Sequence, residues 1–286
     1  MREMKWVERL NDAIAYMEEH LQEELDYEEF AKVACCSTYH FQRMFAYMAD
    51  MPLSEYIRRR KMSLAAVDLL GGEEKILDIA LKYGYNPPTA FNRAFQSVHG
   101  VAPSMIKSDG VSIKSFPPLQ FKIIVKGVEE MNYRIERKEA FRVVGVSKPL
   151  DKEIEKNFAV VPFMWQEVAA DGTIQKLVDL IDTEVKGVLG VCVCEDEEPW
   201  KYFIAVASTK DAGEFETYRI PAFTWAVFPG EGVCPQAIQE LEQRIATEWM
   251  PNSGYEYANG LDVELYFSPD SQNAKFEVWI PVIKKY

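Results

Sequence analysis

The feature that most constrains this 286-residue chain is a pattern that occurs twice: Phe41-Gln-Arg-Met-Phe45 is echoed by Phe91-Asn-Arg-Ala-Phe95. Apolar residues at i, i+3, i+4 and i+7 make one face of an α-helix. Phe41, Met44, Phe45 and Met48 have that spacing, and so do Phe91, Ala94, Phe95 and Val98. Tyr39, Gln42, Arg43 and Ala46 then fall on the opposite face of the first segment, and Thr89, Asn92, Arg93 and Gln96 on that of the second. Ser37 suits the N-cap of the first helix, because its hydroxyl can accept from a first-turn N–H that has no helical partner. Pro88 suits the first turn of the second.

A single amphipathic helix of this kind is an ordinary surface helix, but a repeated one that presents Gln or Asn beside Arg asks for a common partner. Arg can bond bidentately to guanine O6 and N7, and Gln or Asn to adenine N6 and N7. Two short helices, each behind a tight turn, therefore read as a pair of helix-turn-helix recognition helices with these side chains facing outward. Cys35-Cys36 makes the first turn and Gly84-Tyr85-Asn86-Pro87 the second. Trp6, Leu10, Ala13, Ile14, Met17 and Leu21 keep one helical face, and Asp26 with Glu29 reads as a capping box for a short helix ending at Ala34. Between the two units a long helix carries Ile57, Met62, Ala65, Ala66, Leu69 and Leu70 on one side and stops at Gly71-Gly72. Such a spacer fixes the relation of the two outward helices; to read successive turns of one groove face they need centres about 34 Å apart.

These residues resemble the AraC family of bacterial transcription regulators. Ser37-x-x-His-Phe-Gln-Arg-Met-Phe45, Tyr56-Ile-Arg-Arg-Arg-Lys-Met62 and Ile79-Ala-x-x-x-Gly-Tyr85 leading to Phe91-x-Arg-Ala-Phe95 carry the resemblance, over about residues 6–107. It implies an all-α tandem helix-turn-helix domain at 1–108 that binds the double-stranded DNA of a promoter operator. Tyr39, Gln42, Arg43, Thr89 and Arg93 match positions from which family members read bases. Asn92 and Gln96 join them from the spacing alone. At Pro87-Pro88 the chain departs from the family, where Ser and Gln are frequent.

Charge limits how that DNA is held. The chain has a formal net charge of -13, of which residues 1–107 carry -3 and residues 108–286 carry -10. Phosphate attraction is therefore expected to be modest and confined to a face such as the basic run Arg58-Arg-Arg-Lys61. No apolar run is long enough to span a membrane, and the acidic N-terminus does not read as a signal peptide. The five cysteines lack zinc-ligand spacing and fit reduced thiols. The expectation is a cytoplasmic protein with no metal, cofactor or membrane partner.

A linker is expected at 109–120, flanked by Asp109-Gly110 and containing Pro117-Pro118. Beyond it, in a second domain at 121–286, helical periodicity gives way to alternation. Strands are expected at 121–125, 133–136, 141–146, 188–194, 202–207, 215–219, 223–228, 261–267 and 276–282. Helices are expected at 154–169, 174–181 and 237–249. Strands, helix and strands follow one another twice, which predicts an α+β fold with two pseudo-repeated strand-helix-strand halves. The order and spacing of Phe141-Arg-Val-Val-Gly145, Ile220-Pro-Ala-Phe-Thr-Trp225, Glu248-Trp-Met-Pro251, Leu261-Asp-Val-Glu-Leu265 and Val278-Trp-Ile-Pro281 resemble the GyrI-like domain, a small-molecule sensor.

On the strand at 261–267, Glu264 and Tyr266 share a side; on the last strand Glu277 and Trp279 do. If the two faces converge, they form a cavity with carboxylates at its base and rings on its walls, which favours a lipophilic cation. The resemblance to GyrI-like sensors implies that Glu264 is central to the pocket, with Tyr266, Glu277 and Trp279 lining it. Trp165, Tyr202 and Trp225 are further aromatic candidates. The leading expectation is a regulator whose C-terminal half binds a small-molecule effector, a lipophilic cation or drug-like compound, and so changes promoter occupancy or RNA polymerase recruitment. A hydrolase using Glu264 as general base, a protein-binding module, and a homodimer through the C-terminal half are left open.

Overall fold

Helical periodicity in the first hundred residues becomes α1 (Lys5–Glu19), α2 (Tyr27–Ala34), α3 (Thr38–Ala49), α4 (Leu53–Gly71), α5 (Ile76–Lys82) and α6 (Pro88–His99). The computed structural model describes residues 5–122, 130–194, 199–268 and 270–285. Local chemistry sets the helix ends. The Asp26 carboxylate accepts from the N–H of Glu28 at 2.8 Å and caps α2. Glu29, expected to reach back in a capping box, pairs with Lys32 at 2.6 Å instead. The Ser37 hydroxyl accepts from the N–H of His40 at 3.3 Å at the start of α3. Gly72, at φ +78°, stops α4 in a left-handed conformation that costs glycine little.

The chain forms two compact units. Residues 36–48, most of α3, belong with the C-terminal part of the chain, whereas the described residues up to 35 and from 49 to 122 form the other unit. In that helical unit Met62, Ala65, Ala66 and Leu69 of α4 pack with Ile79, Ala80 and Tyr83 and with Phe91, Phe95 and Val98 of α6. Each large apolar side chain so buried contributes about 1.5–3 kcal/mol.

The expected linker is instead fastened to this unit. Phe116 donates its N–H to Ser63 Oγ at 3.0 Å while its carbonyl accepts from Arg60. Leu119 N–H donates to Tyr56 Oη at 3.1 Å, and Phe121 exchanges two hydrogen bonds with the Asn11 amide at 2.8 and 3.0 Å. An extended segment needs partners for its backbone groups wherever water is excluded, and α1 and α4 supply them from side chains. Phe121 and Lys122 are not in a strand, and the rest of the strand expected at 121–125 lies outside the described residues. The basic run is divided too. Arg58 and Arg59 pair with Glu55, Arg60 is buried against Glu18, and buried Lys61 donates to the Tyr83 carbonyl at 3.1 Å. It is not one stripe facing solvent.

The other unit is built on an antiparallel sheet of β1 (Arg134–Lys138), β2 (Phe141–Pro149), β3 (Val188–Val193), β4 (Lys201–Ala207), β5 (Glu216–Ile220), β6 (Phe223–Gly232), β7 (Tyr255–Tyr257), β8 (Asp262–Tyr266) and β9 (Ala274–Lys284). Its order is β1-β6-β9-β8-β3-β4-β2-β5, with β7 added beside β9. Strands β3 and β8 pair at its middle. One face carries Val143, Leu189, Val191, Phe203, Trp225, Val227, Val263, Leu265 and Trp279. Phe141 of β2 meets Trp279 of β9 at 6.4 Å between ring centres although β4, β3 and β8 lie between their strands, so the sheet curls over this face.

The opposite face is covered by helices at either side. Toward β4, Met164 and Val168 of α7 (Val160–Ala170) and Leu177 of α8 (Thr173–Val178) cover Val188, Tyr202, Ile204 and Val206. Toward β9, α9 (Gln236–Arg244) and the wider helical turn that continues it at Ile245–Trp249 cover Phe228, Phe276, Val278 and Ile280. The helix expected at 154–169 is split into a 3₁₀ turn at Ile154–Asn157 and α7. Pro162 has no N–H to give the carbonyl four residues back, so it fits the first turn of α7 and not the interior of a helix begun at 154. Strand β7 was not expected, since three residues are too few to display alternation.

Candidate functional site

Antiparallel strands place directly opposed residues on the same face. Glu264 of β8 stands opposite Gly190 of β3 on one side and Val278 of β9 on the other. Glu264, Tyr266 and Asp262 therefore point to the helix-covered face. There Glu264 accepts from Tyr266 Oη at 2.9 Å and from Tyr202 Oη at 3.3 Å. Tyr202 in turn accepts from the Trp165 indole N–H at 3.0 Å, and the Trp165 and Tyr266 rings lie 4.9 Å apart. Gly190 makes the room: a Cβ there would stand 2.2 Å from Tyr202 Oη and 3.0 Å from the Glu264 carboxylate. Burial, and then the charge of Glu242, push the Glu264 carboxyl up to about 7 against the pull of Arg43 and the two tyrosines.

The expected convergence of Glu264 and Tyr266 with Glu277 and Trp279 does not occur. The β8–β9 register sets Glu277 opposite Leu265 and Trp279 opposite Val263, so both lie on the other face of the sheet. There Glu277 is held by Arg134 at 2.8 and 3.0 Å and accepts from the Trp279 indole at 2.8 Å. Trp225 packs on Trp279 on that same face. Alternation along each strand was read correctly, but alternation does not fix which phase of one strand meets which phase of its neighbour. Of the seven ligand candidates, Glu264, Tyr266, Tyr202 and Trp165 come together, and Glu277, Trp279 and Trp225 do not.

The seven candidate DNA-contacting residues also divide. On α6, Thr89, Asn92, Arg93 and Gln96 are all exposed. On α3 the expectation of an outward polar face is overturned, because that face is spent inside the sheet unit. Gln42 is fully buried: its amide N–H donates to the Lys152 carbonyl at 2.7 Å and its carbonyl accepts from the N–H of Ile154 at 3.3 Å. Tyr39 donates to Cys192 Sγ at 3.2 Å and meets Trp200 edge-on at 5.5 Å. Arg43 is the centre of the arrangement. It donates to Asp262 at 2.7 Å, to Glu242, to Tyr39 Oη at 3.1 Å and to Tyr47 Oη at 3.0 Å.

Around this guanidinium the second rank of contacts is closed. Tyr47 donates to Glu242 at 2.6 Å, and Tyr257 donates to Asp262 at 2.8 Å. The His40 ring stacks on Tyr257 at 3.6 Å and 8°. Burial, with the charge of Arg43 beside it, pulls the His40 imidazole down to about 3. Burial also raises the Asp262 carboxyl, opposed by Arg43 and Tyr257, and pushes the Cys192 thiol up to about 12. Burial works against the charge on Arg43 as well, yet Glu242 and its neighbours more than offset it, and the guanidinium is held charged.

Sequence reasoning missed Glu242, Asp262, Tyr47, Tyr257 and Cys192. Asp262 shares the parity of Glu264, and Tyr47 lies one turn after Arg43, so both carried a signal. Glu242 carried none, standing in a helix with several acids. Among the described residues, no three His, Cys, Asp or Glu side chains converge as metal ligands would, and no helix is long and apolar enough to cross a membrane.

A paired helix-turn-helix region, joined in one chain to a sheet unit with a half-buried carboxylate among rings, defines an AraC-type transcription regulator with a C-terminal GyrI-like effector-binding domain. Residues 134–282 match the family described as Cass2, integron-associated effector binding protein, and the chain belongs to that family. Residues 30–108 match a helix-turn-helix domain. The chain is 31% identical over 105 residues to the uncharacterized HTH-type transcriptional regulator YbfP of Bacillus subtilis, covering 37% of this chain and 36% of YbfP. It is 37% identical over 95 residues to the regulatory protein SoxS of Escherichia coli, covering 33% of this chain and 89% of SoxS. Among solved structures, SAV2435 bound to tetraphenylphosphonium is similar at a TM-score of 0.47 and 21% identity, covering 54% of this chain and 94% of that one.

Proposed function

We propose that this regulator binds operator DNA through Thr89, Asn92, Arg93 and Gln96 of α6 and, when they are free, Tyr39, Gln42 and Arg43 of α3, and that its effector is an organic cation received beside Glu264. The supporting observation is the Glu264 cluster. A half-buried carboxyl, pushed up to about 7 by its surroundings, stands among Tyr202, Tyr266 and Trp165. Such a group gains most from a partner that brings a positive charge and an apolar body together, because Coulomb attraction is stronger where water is excluded and ring faces attract cations.

The test is a thermal-shift screen of aromatic cations and their neutral isosteres on the full chain, with Glu264→Gln as control. Ligand that binds only the native state raises stability by RT ln(1 + [L]/Kd), about 2.7 kcal/mol at a hundredfold excess over Kd. Cations that stabilise the parent and not Glu264→Gln support the reading; equal shifts for cations and neutral isosteres sink it. A hydrolase is the second reading, favoured by the aromatic surroundings of Glu264, which raise its carboxyl toward the range that suits a general base. Turnover of a bound compound that stops in Glu264→Gln would establish it, and binding without turnover would leave the sensor.

A further inference from the structure

The contacts of α3 have a specific chemistry. Gln42 gives one hydrogen bond to the Lys152 carbonyl and takes one from the Ile154 N–H. In a major groove adenine offers the same pair, an acceptor at N7 and a donor at N6. Arg43 is clasped by acceptor oxygens of Glu242 and Asp262, as guanine would clasp it through O6 and N7. The sheet unit thus satisfies both side chains in the manner of a base pair edge, and a helix so engaged has no base-reading atoms left for DNA.

We infer that the sheet unit holds α3 closed by imitating the hydrogen-bond pattern of DNA, and that a planar organic cation opens it by taking the place of the Arg43 guanidinium between Glu242 and Asp262. The inference rests on the regulator reading and adds, next to the place beside Glu264, a second one with its own ligand class: an aromatic amidinium or guanidinium. Such a group reproduces what Arg43 supplies there, a flat cation with several N–H donors, between the rings of Tyr39 and Tyr47 that lie 5.6 Å from the Arg43 guanidinium carbon.

Two physical points make the closed state releasable. A buried ion pair gains Coulomb energy but loses hydration at every charge, so the net stabilisation is small compared with an apolar seam of similar size. When α3 leaves, the guanidinium regains water and an external cation neutralises the carboxylates left behind. The tether holds Arg43 at an effective concentration in the millimolar range, which a cation must exceed in affinity or amount. Linkage then requires reciprocity: the factor by which the cation improves DNA binding is the factor by which DNA improves cation binding.

The experiment uses the full chain and the double variant Glu242→Gln, Asp262→Asn, which keeps side-chain shape and removes both charges. DNA is a duplex selected from a random pool by the variant, and the ligand probe is benzamidine, with neutral benzamide as control. The variant is expected to bind the duplex about 5- to 150-fold more tightly than the parent, the usual span of such coupling. Benzamidine is expected to bring the parent toward the variant, and benzamide to have no effect. Equal DNA affinity of parent and variant overturns the inference, as does benzamide acting as well as benzamidine.

A second readout separates this from misfolding and from failure of the regulator reading. Cys192 lies under Tyr39, so its alkylation, followed by mass spectrometry, reports whether α3 is docked. Faster labelling of Cys192 in the variant, with an unchanged cooperative unfolding transition, is the result expected. Unchanged labelling overturns the inference. If neither protein binds any duplex while Cys192 is uncovered in the variant, closure of α3 stands and the regulator reading falls.

Discussion

Helices α3 and α6 carry the same pattern and meet opposite treatment. Each is a twelve-residue helix with a paired phenylalanine stripe that is buried. On α6 the polar face is open, with Asn92, Arg93 and Gln96 exposed. On α3 the corresponding Gln42 and Arg43 find acceptors and donors in the sheet unit. A polar stripe records that a helix face wants hydrogen-bonding partners, not whether water, a groove or another part of the chain supplies them. Arg93 is free to pair with what arrives, whereas Arg43 must exchange one set of partners for another.

The largest expected effect is on stability. Arg43→Ala leaves Glu242 and Asp262 buried without their cation, and breaking a buried pair from one side costs about 3–5 kcal/mol. Release of α3 caps the loss at the free energy that holds it closed. Arg93→Ala removes an exposed side chain and is expected to change stability by less than about 0.5 kcal/mol. Urea unfolding of the two variants measures the difference, and equal small effects would abolish the distinction between the helices. DNA affinity should rank them differently. Arg93→Ala is expected to lose about 1–3 kcal/mol of specific binding. Arg43→Ala loses its base contact but also opens α3, so its net loss in a titration of the selected duplex should be the smaller.

A third prediction concerns the Glu264 cluster, with which α3 shares no hydrogen bond among the described residues. Gly190→Ala drives a methyl group against Tyr202 Oη, and inserting bulk into a packed site costs about 1–3 kcal/mol. Tyr202 must withdraw from Glu264, so the variant should also lose cation response in the thermal-shift assay while the exposed face of α6 is untouched. Retention of full response would show that the 3.3 Å contact between Tyr202 and Glu264 is dispensable.

How much of this was legible before the fold was seen depends on the range of the interaction. Periodicity and capping residues located α1 to α4 and α6, and alternation located the strands apart from β7, because these patterns are local. Glu264, Tyr266, Tyr202 and Trp165 were named, and their union needed only that the expected strands and helix pack as they do. Glu277, Trp279 and Trp225 were misplaced because pairing register is a property of two strands, and a shift of one residue exchanges the faces. The fate of Arg43 was illegible for a different reason: its partners Glu242 and Asp262 are about two hundred residues away, and neither marks itself as the mate of a cation. The fastening of residues 116–121 was illegible for a similar reason, since the prolines and glycine of the expected linker describe a chain without regular structure but not the side chains of α1 and α4 that hold it.

The last prediction sets the two helices against each other through their histidines. His40 on α3 is stacked on Tyr257 and faces the Arg43 charge, and burial holds its imidazole down to about 3. His99 on α6, bonded to the Met62 carbonyl at 3.0 Å, is also lowered from 6.5 by burial, within the helical unit. With α3 released, His40 returns toward the ordinary histidine value near 6.5. The released state then binds a proton that the closed state does not, so closure is fully favoured above about 6.5 and weakens as pH falls from there toward 3. NMR titration of the imidazoles reads this directly. In the parent the His40 ring should remain neutral well below pH 6, and in the Glu242→Gln, Asp262→Asn variant it should titrate near 6.5, while the His99 titration is the same in both. A His40 that titrates alike in parent and variant would mean that removing the two carboxylate charges does not loosen α3, and the difference between the helices would then come from apolar packing rather than from the clasp on Arg43.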